Sequence, residues 1–246
     1  NRHHRYIHSF PTRRSSDLAL LEATSQIDMK ITRGGQLMGG KKVYLQAELP
    51  EVYIGKSGMN RWITGVNSHG FKSGAFGSTG TVIICDNTWM MAYGDLSKFR
   101  HTESIVQRVL EFVEGMKKAL SLDEQLIENF EIMAAASIKD DIFVNVLKKC
   151  FEVDLDAKSD SISTRKRNQL KSVEEAISTE LELEGATLWG LFNGITRYTN
   201  HIAVKPEDRT EYVMAGKGYE TNLLAYKTIK QWMKEHKLIA PVMING

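Results

Sequence analysis

The chain is poor in the features that mark several familiar protein classes. It has two cysteines, Cys85 and Cys150, too few and too far apart in sequence for a disulfide framework or a zinc-type ligand spacing. Both are expected to be reduced core residues, which suits a cytoplasmic protein. No apolar run approaches the roughly 20 residues that span a bilayer, so no membrane association is expected. The seven histidines form no His-x-His and no His-Glu-x-x-His, which argues against a metal site built from His69, His101 and His201. Gly55-Lys56-Ser57 is the tail of a phosphate-loop motif without its leading glycine or following helix, and the glycines from Gly70 to Gly80 precede a strand. No metal or cofactor is therefore expected. No internal repeat is apparent. A strong charge of one sign is lacking too, with 32 Lys+Arg against 30 Asp+Glu for a net +2.

Even that small basic excess rests on the first residues. The run Ser9-Phe10-Pro11-Thr12-Arg13-Arg14-Ser15-Ser16-Asp17-Leu18 back-translates as TCT TTC CCT ACA CGA CGC TCT TCC GAT CT, which resembles the 3′ end of a short-read sequencing adapter. On this reading residues 1–18 are a non-native segment, expected to pack poorly. Residues 19–246 are then an N-terminally truncated single domain from a metagenomic fragment. Removing Arg2, Arg5, Arg13, Arg14 and Asp17 leaves 28 cations against 29 anions, about −1, so the apparent basicity disappears. About 228 residues remain, enough for a substantial hydrophobic core.

Hydrophobic patterning changes character near Tyr93. Val43–Leu49 is apolar-rich and is stopped by Pro50, with Val52–Ile54 as a continuation, Gly55–Gly58 as a turn and Arg61–Val66 as further strand. Thr81–Cys85 reads as a strand buried on both faces. Asp86-Asn87-Thr88 reads as a turn and helix N-cap. Helical spacing follows: Ser104–Leu120, then Leu122–Ala136 behind a Ser121/Glu124 capping box, then Asp140–Phe151. An exposed Asp/Ser linker at 154–164 separates these from helices over Lys166–Leu183, Ala186–Ala203 and Asn222–Glu235. The implied fold is α+β, with a twisted, antiparallel-rich sheet at about 41–93 packed by several helices at about 102–236.

The late helix is the most informative stretch. Trp189, Asn193, Arg197 and His201 recur every fourth residue and line one stripe, flanked by Thr196 and Asn200. Leu188, Leu191, Phe192, Ile195, Tyr198 and Ile202 populate the adjacent apolar face. Asparagine suits a helix interior poorly unless its amide has a partner, so a polar network beside a buried face is expected. That network either ties helix to sheet or forms a ligand or catalytic surface. Asn67, Ser68 and His69 close a strand before the glycine-rich loop, where His69 suits acid–base work and where a local turn is the plainer reading. Cys85 has no identifiable base partner. Two basic clusters, Lys98-Arg100-His101 and Arg165-Lys166-Arg167 with Lys171, are either solvated faces or phosphate contacts.

Four segments together resemble one family. They are Gly35-Gln36-Leu37-Met38-Gly39-Gly40-Lys41-Lys42-Val43; Asn67-Ser68-His69-Gly70 with Val82-Ile83-Ile84-Cys85-Asp86-Asn87-Thr88; Phe99-Arg100-His101-Thr102; and Thr187 to His201. In this order they are similar to the phage/plasmid-like proteins grouped as domain of unknown function 932, over roughly Gly35 to Ala203. The resemblance implies a product of bacteriophages, plasmids or other mobile genetic elements, working in the bacterial cytoplasm, with no established activity. Gly70 stands where the family often has an acidic residue after the histidine, and Val82 where it often has an arginine. No charge-based catalytic role is carried over.

Three functions follow as expectations. The first is a non-enzymatic, DNA-associated protein of mobile-element replication or recombination, binding single-stranded or duplex DNA. It would use Lys98, Arg100, Arg165, Lys166, Arg167 and Lys171, with Trp62, Phe71, Phe76 and Trp89 for stacking. The second is an enzyme whose site, between sheet and late helix, combines Asn67, His69, His101, Asn193, Asn200 and His201. The third is a structural interaction module.

Overall fold

The computed structural model describes residues 31–68, 78–84, 89–93, 123–153 and 162–239. Strands precede helices, giving the expected α+β fold. The strands are β1 (Ile31–Leu37), β2 (Lys42–Ile54), β3 (Ser57–Ser68), β4 (Ser78–Ile84) and β5 (Trp89–Tyr93), in the sheet order β1-β2-β3-β4-β5. β1 and β2 are antiparallel, with Gly35 opposite Tyr44 and Leu37 opposite Lys42. Gly55 and Lys56 turn β2 into β3, and Gly55 takes φ +58°, as a two-residue hairpin demands.

Three strand expectations need correction. β1 lies before the expected start of the sheet at about residue 41. A Cβ on Gly35 would meet the Tyr44 hydroxyl at 2.7 Å, so the ring of the opposite residue covers the glycine and replaces the packing that it lacks. β2 is not stopped by Pro50. β1 pairs with β2 only as far as Ala47, so the missing Pro50 N–H costs no bond to β1. The Pro50 carbonyl instead accepts from Arg61 Nε at 3.1 Å and Nη2 at 2.7 Å. Beyond residues 85–88, which lie outside the described residues, the chain enters β5 and not a helix, so no helix N-cap is needed there.

The chain divides into two compact units. The first takes residues 1–52, 60–83 and 91–124. Its described interior includes Leu37, Gln46, Ala47, Trp62 and Asp123. Trp62 is 3% exposed, donates from Nε1 to Thr32 Oγ1 at 3.2 Å, and carries the Arg33 guanidinium 4.1 Å from its ring centre. Arg61 pairs with buried Asp123. Burial pushes the Asp123 carboxyl up more than Arg61 pulls it down.

The second unit takes residues 53–59, 84–90 and 125–246. Its helices are α1 (described over residues 123–135, from 125 on in this unit), α2 (Asp140–Phe151), α3 (Thr164–Glu184), α4 (Leu188–Arg197), α5 (Arg209–Ala215) and α6 (Lys217–Glu235). A π-helical segment, Tyr198–Ile202, continues α4, and a 3-10 turn, Pro206–Asp208, precedes α5. α2 has Asp140 and Asp141 in its first turn and Lys148 and Lys149 in its last, matching the helix dipole. α3 is capped by the Ser163 hydroxyl, which accepts from Lys166 N at 3.2 Å. α6 begins at Lys217, earlier than the expected Asn222, because Gly218 lets the chain pass against the Tyr212 ring. The tip of the β2–β3 hairpin belongs to this unit: Ile54 and Met59 are fully buried, and the Ser57 hydroxyl donates to the Glu184 carboxylate. At the centre Phe130, Trp189, Phe192 and Tyr226 form one aromatic cluster, with Phe130 and Trp189 centroids 4.9 Å apart.

Candidate functional site

The late helix enters the second unit's core through two glycines. The Thr187 hydroxyl caps α4 by accepting from Gly190 N at 3.1 Å. A Cβ on Gly190 would lie 2.6 Å from the Gly185 carbonyl, and one on Gly194 would lie 2.4 Å from Ile177 Cα. These are backbone contacts, so α3 and α4 approach as closely as helices can. The contact carries the polar residues of α4 inside.

The expected stripe is only partly buried. Trp189 and Asn193 are each 1% exposed, Arg197 is half-buried, and His201 is exposed. Ile202, expected on the apolar face, is also exposed. The reason is a change of helical register: Ala203 N donates to Tyr198 O at 2.9 Å, a π-type bond that rotates the following side chains off the α-helical stripe. Threonines border this change. The Thr196 hydroxyl donates to Asn193 O at 3.0 Å, back-bonding of the kind that bends helices.

Inside the bend lies a cluster of amides and hydroxyls: Asn193, Thr196, Thr199, Asn200 and, from α6, Asn222, none more than 2% exposed. The Thr199 hydroxyl donates to Asn222 Oδ1 at 2.6 Å. Thr196 O at 3.0 Å and Asn200 Oδ1 at 3.3 Å also lie within reach of that single proton. Beside the cluster Arg197 Nη1 donates to Glu180 Oε1 at 2.8 Å, and the Glu180 side chain is 2% exposed. The indole Nε1 of Trp189 is buried and has no hydrogen-bond partner among the described residues. Tyr226 accepts from Asn129 Nδ2 at 2.9 Å, and burial pushes its phenol up to about 12. Thr199 and Asn222 were not singled out from sequence. The available signal was Asn222 itself, an asparagine in a helix interior.

The residues of the proposed enzyme site are only partly brought together. Asn193 and Asn200 share the buried cluster, while His201 is exposed. Asn67 falls in β3, in the other unit. His69 and His101 lie outside the described residues, as do Cys85, Phe71 and Phe76. Cys150 is buried and free, and burial pushes its thiol up to about 12, which disfavours the reactive thiolate. Among the described residues no group of three or more His, Cys, Asp or Glu comes together as a metal cluster.

The basic residues divide similarly. Lys98 and Arg100 lie outside the described residues. Arg165, Arg167 and Lys171 are exposed on the first two turns of α3. Lys166 is half-buried, and its ammonium donates to the carbonyl of Phe151, the last residue of α2. That contact joins the start of α3 to the exposed Lys148 and Lys149 in the last turn of α2, two cations not singled out from sequence. Of the aromatic residues offered for stacking, Trp62 is buried and committed to Thr32 and Arg33, so it is withdrawn from that role. Trp89 falls in β5.

The described residues thus define an α+β protein with an internal amide–hydroxyl cluster and with exposed cations at the end of α2 and the start of α3, which the Lys166–Phe151 contact joins. The chain belongs to the family described as a domain of unknown function (DUF932), which it matches over residues 6–225. The match takes in part of the segment read above as adapter-derived. No curated protein and no solved structure matches the chain. Among the described residues no helix is long and apolar enough to cross a membrane.

Proposed function

We propose that the protein is a DNA-associated binding protein of a phage or plasmid, acting in the bacterial cytoplasm in mobile-element replication or recombination. The observation that carries this reading is the Lys166 contact to the Phe151 carbonyl. It ties the basic start of α3 to the basic end of α2, so that the exposed Lys148, Lys149, Arg165, Arg167 and Lys171 are gathered around one helix junction. Clustered cations on a chain of near-neutral total charge make a local phosphate footprint. Glu152, also exposed at this junction, weakens the field without reversing it. The enzymatic reading has less in its favour, because Asn193 and Asn200 are buried while His201 is exposed.

The test is a salt titration of binding to single-stranded and duplex DNA. Each neutralised phosphate contributes about −0.9 to the slope of log affinity against log salt for a duplex and about −0.7 for a single strand. Binding that weakens steeply with salt is expected. No binding even at low salt would sink the reading, and recovery of a specific protein partner without DNA would favour an interaction module.

A further inference from the structure

We infer that Lys166, although it sits inside the basic run, is not a phosphate ligand but the positioning residue that holds the two halves of the cationic surface together. This rests on the DNA-binding reading above.

The helical phase of α3 separates Lys166 from its neighbours. Val173, Ala176, Ile177 and Glu180 are the buried residues of α3. Counting back from them in steps of three and four leads through Gln169 and Leu170, both half-buried, to Lys166. Lys166 is thus the N-terminal end of the inward face. Arg165, Arg167 and Lys171 fall on the outward faces and are exposed.

The far end of the Lys166 side chain meets a group that needs it. The last carbonyls of a helix lack an intrahelical donor and sit at the negative end of its dipole, so a lysine ammonium there is favourable on both counts. Phe151 closes α2, and its carbonyl receives the Lys166 ammonium. The backbone of Lys166 is fixed as well, by its N–H to the Ser163 hydroxyl at 3.2 Å. One residue therefore ties the first turn of α3 to the last turn of α2. The partner that these exposed cations fit is a phosphodiester backbone, met by lysines of one helix and arginines of the next, which Lys166 ties together.

The experiment compares Lys166→Met, Lys166→Arg and Arg165→Ala in the full chain, on duplex DNA across a salt series. Hydrogen exchange is followed in the last turn of α2 and the first turn of α3. Arg165→Ala is expected to reduce the slope by the roughly 0.9 of one phosphate and to leave exchange unchanged. Lys166→Met is expected to reduce it by more than one phosphate and to speed exchange in both turns, and Lys166→Arg, which still donates to the carbonyl, is expected to restore both. A Lys166→Met variant that merely copies Arg165→Ala overturns the positioning role while leaving DNA binding intact. Failure of the unaltered protein to bind DNA overturns both. Should Lys166→Met not fold, Lys166→Gln keeps a donor without a charge; loss of just one phosphate's slope there again overturns the role.

Discussion

Two polar regions of the helical unit use similar chemistry in opposite ways. Around the π-helical turn, Asn193, Thr196, Thr199, Asn200 and Asn222 are withdrawn from solvent, and the Thr199 hydroxyl meets the side chains of Asn200 and Asn222. At the junction of α2 and α3, Lys148, Lys149, Arg165, Arg167 and Lys171 face outward, and a single cation, Lys166, is turned in to fasten them. A buried polar group without a partner is costly, so each member of the first region is needed by the others. An exposed cation is solvated whether or not a partner is present, so each member of the second contributes little to folding. Substitutions in the two regions should therefore separate cleanly, the first set reading out in stability and the second in affinity.

Gly194 gives the largest expected effect. In an open helix Gly→Ala would stabilise by about 1 kcal/mol. Here the new methyl would fall 2.4 Å from Ile177 Cα, a backbone atom, and α3 and α4 would have to part. The polar cluster on α4 would move with them. Overpacking of this kind costs about 1–3 kcal/mol and occasionally more, so Gly194→Ala is expected to lower stability despite its better helix propensity. Chemical denaturation measures it. An unchanged or raised midpoint would show that the close approach of the helices does not hold the cluster in place.

Thr199→Val comes next. The exchange keeps the shape and removes the hydroxyl, so Asn222 Oδ1 loses its 2.6 Å donor at a buried position. The expected loss is about 0.5–1.5 kcal/mol, the net contribution of a typical intramolecular hydrogen bond. Thr199→Ser, which keeps the donor, should lose clearly less. Equal losses for the two would place the stabilisation in the methyl group, and the buried region would then be apolar packing and not a polar network.

What was legible in the sequence followed from local signals. Asp140–Phe151 matches helix α2 end to end because its amphipathic pattern and its acidic start and basic finish agree. The polar network beside α4 was legible because asparagines seldom occupy a helix interior without a reason. What escaped depends on partners distant in sequence. A strand through Gly35 becomes recognisable only when Tyr44 is placed across from it in the neighbouring strand. Trp62 reads as an exposed stacking residue until Thr32 and Arg33 enclose it. The π turn has no composition of its own. It depends on a balance between local back-bonding by threonines and the pull of Asn222 from another helix, and no periodicity encodes that. Lys166 shows the same limit within one basic run, since only the position of Phe151 distinguishes it from Arg165.

Lys171→Ala gives the smallest effect on folding and completes the contrast. Lys171 Nζ stands 3.8 Å from Glu175 Oε1, with side chains 76% and 66% exposed, a spacing that contributes about 0.3–0.5 kcal/mol on a helix surface. Removing it should leave stability within about 0.5 kcal/mol, as surface substitutions usually do. If the cationic surface binds phosphate, the same change should weaken DNA binding about equally for all sequences and reduce the salt slope by about one contact. Thermal unfolding and a salt titration on one preparation measure both. A stability loss like that of Thr199→Val would mean that the outward cations are part of the fold. An unchanged slope would take Lys171 out of the surface and leave the binding to Arg165, Arg167 and the lysines of α2, whose contributions the same titration then assigns one at a time.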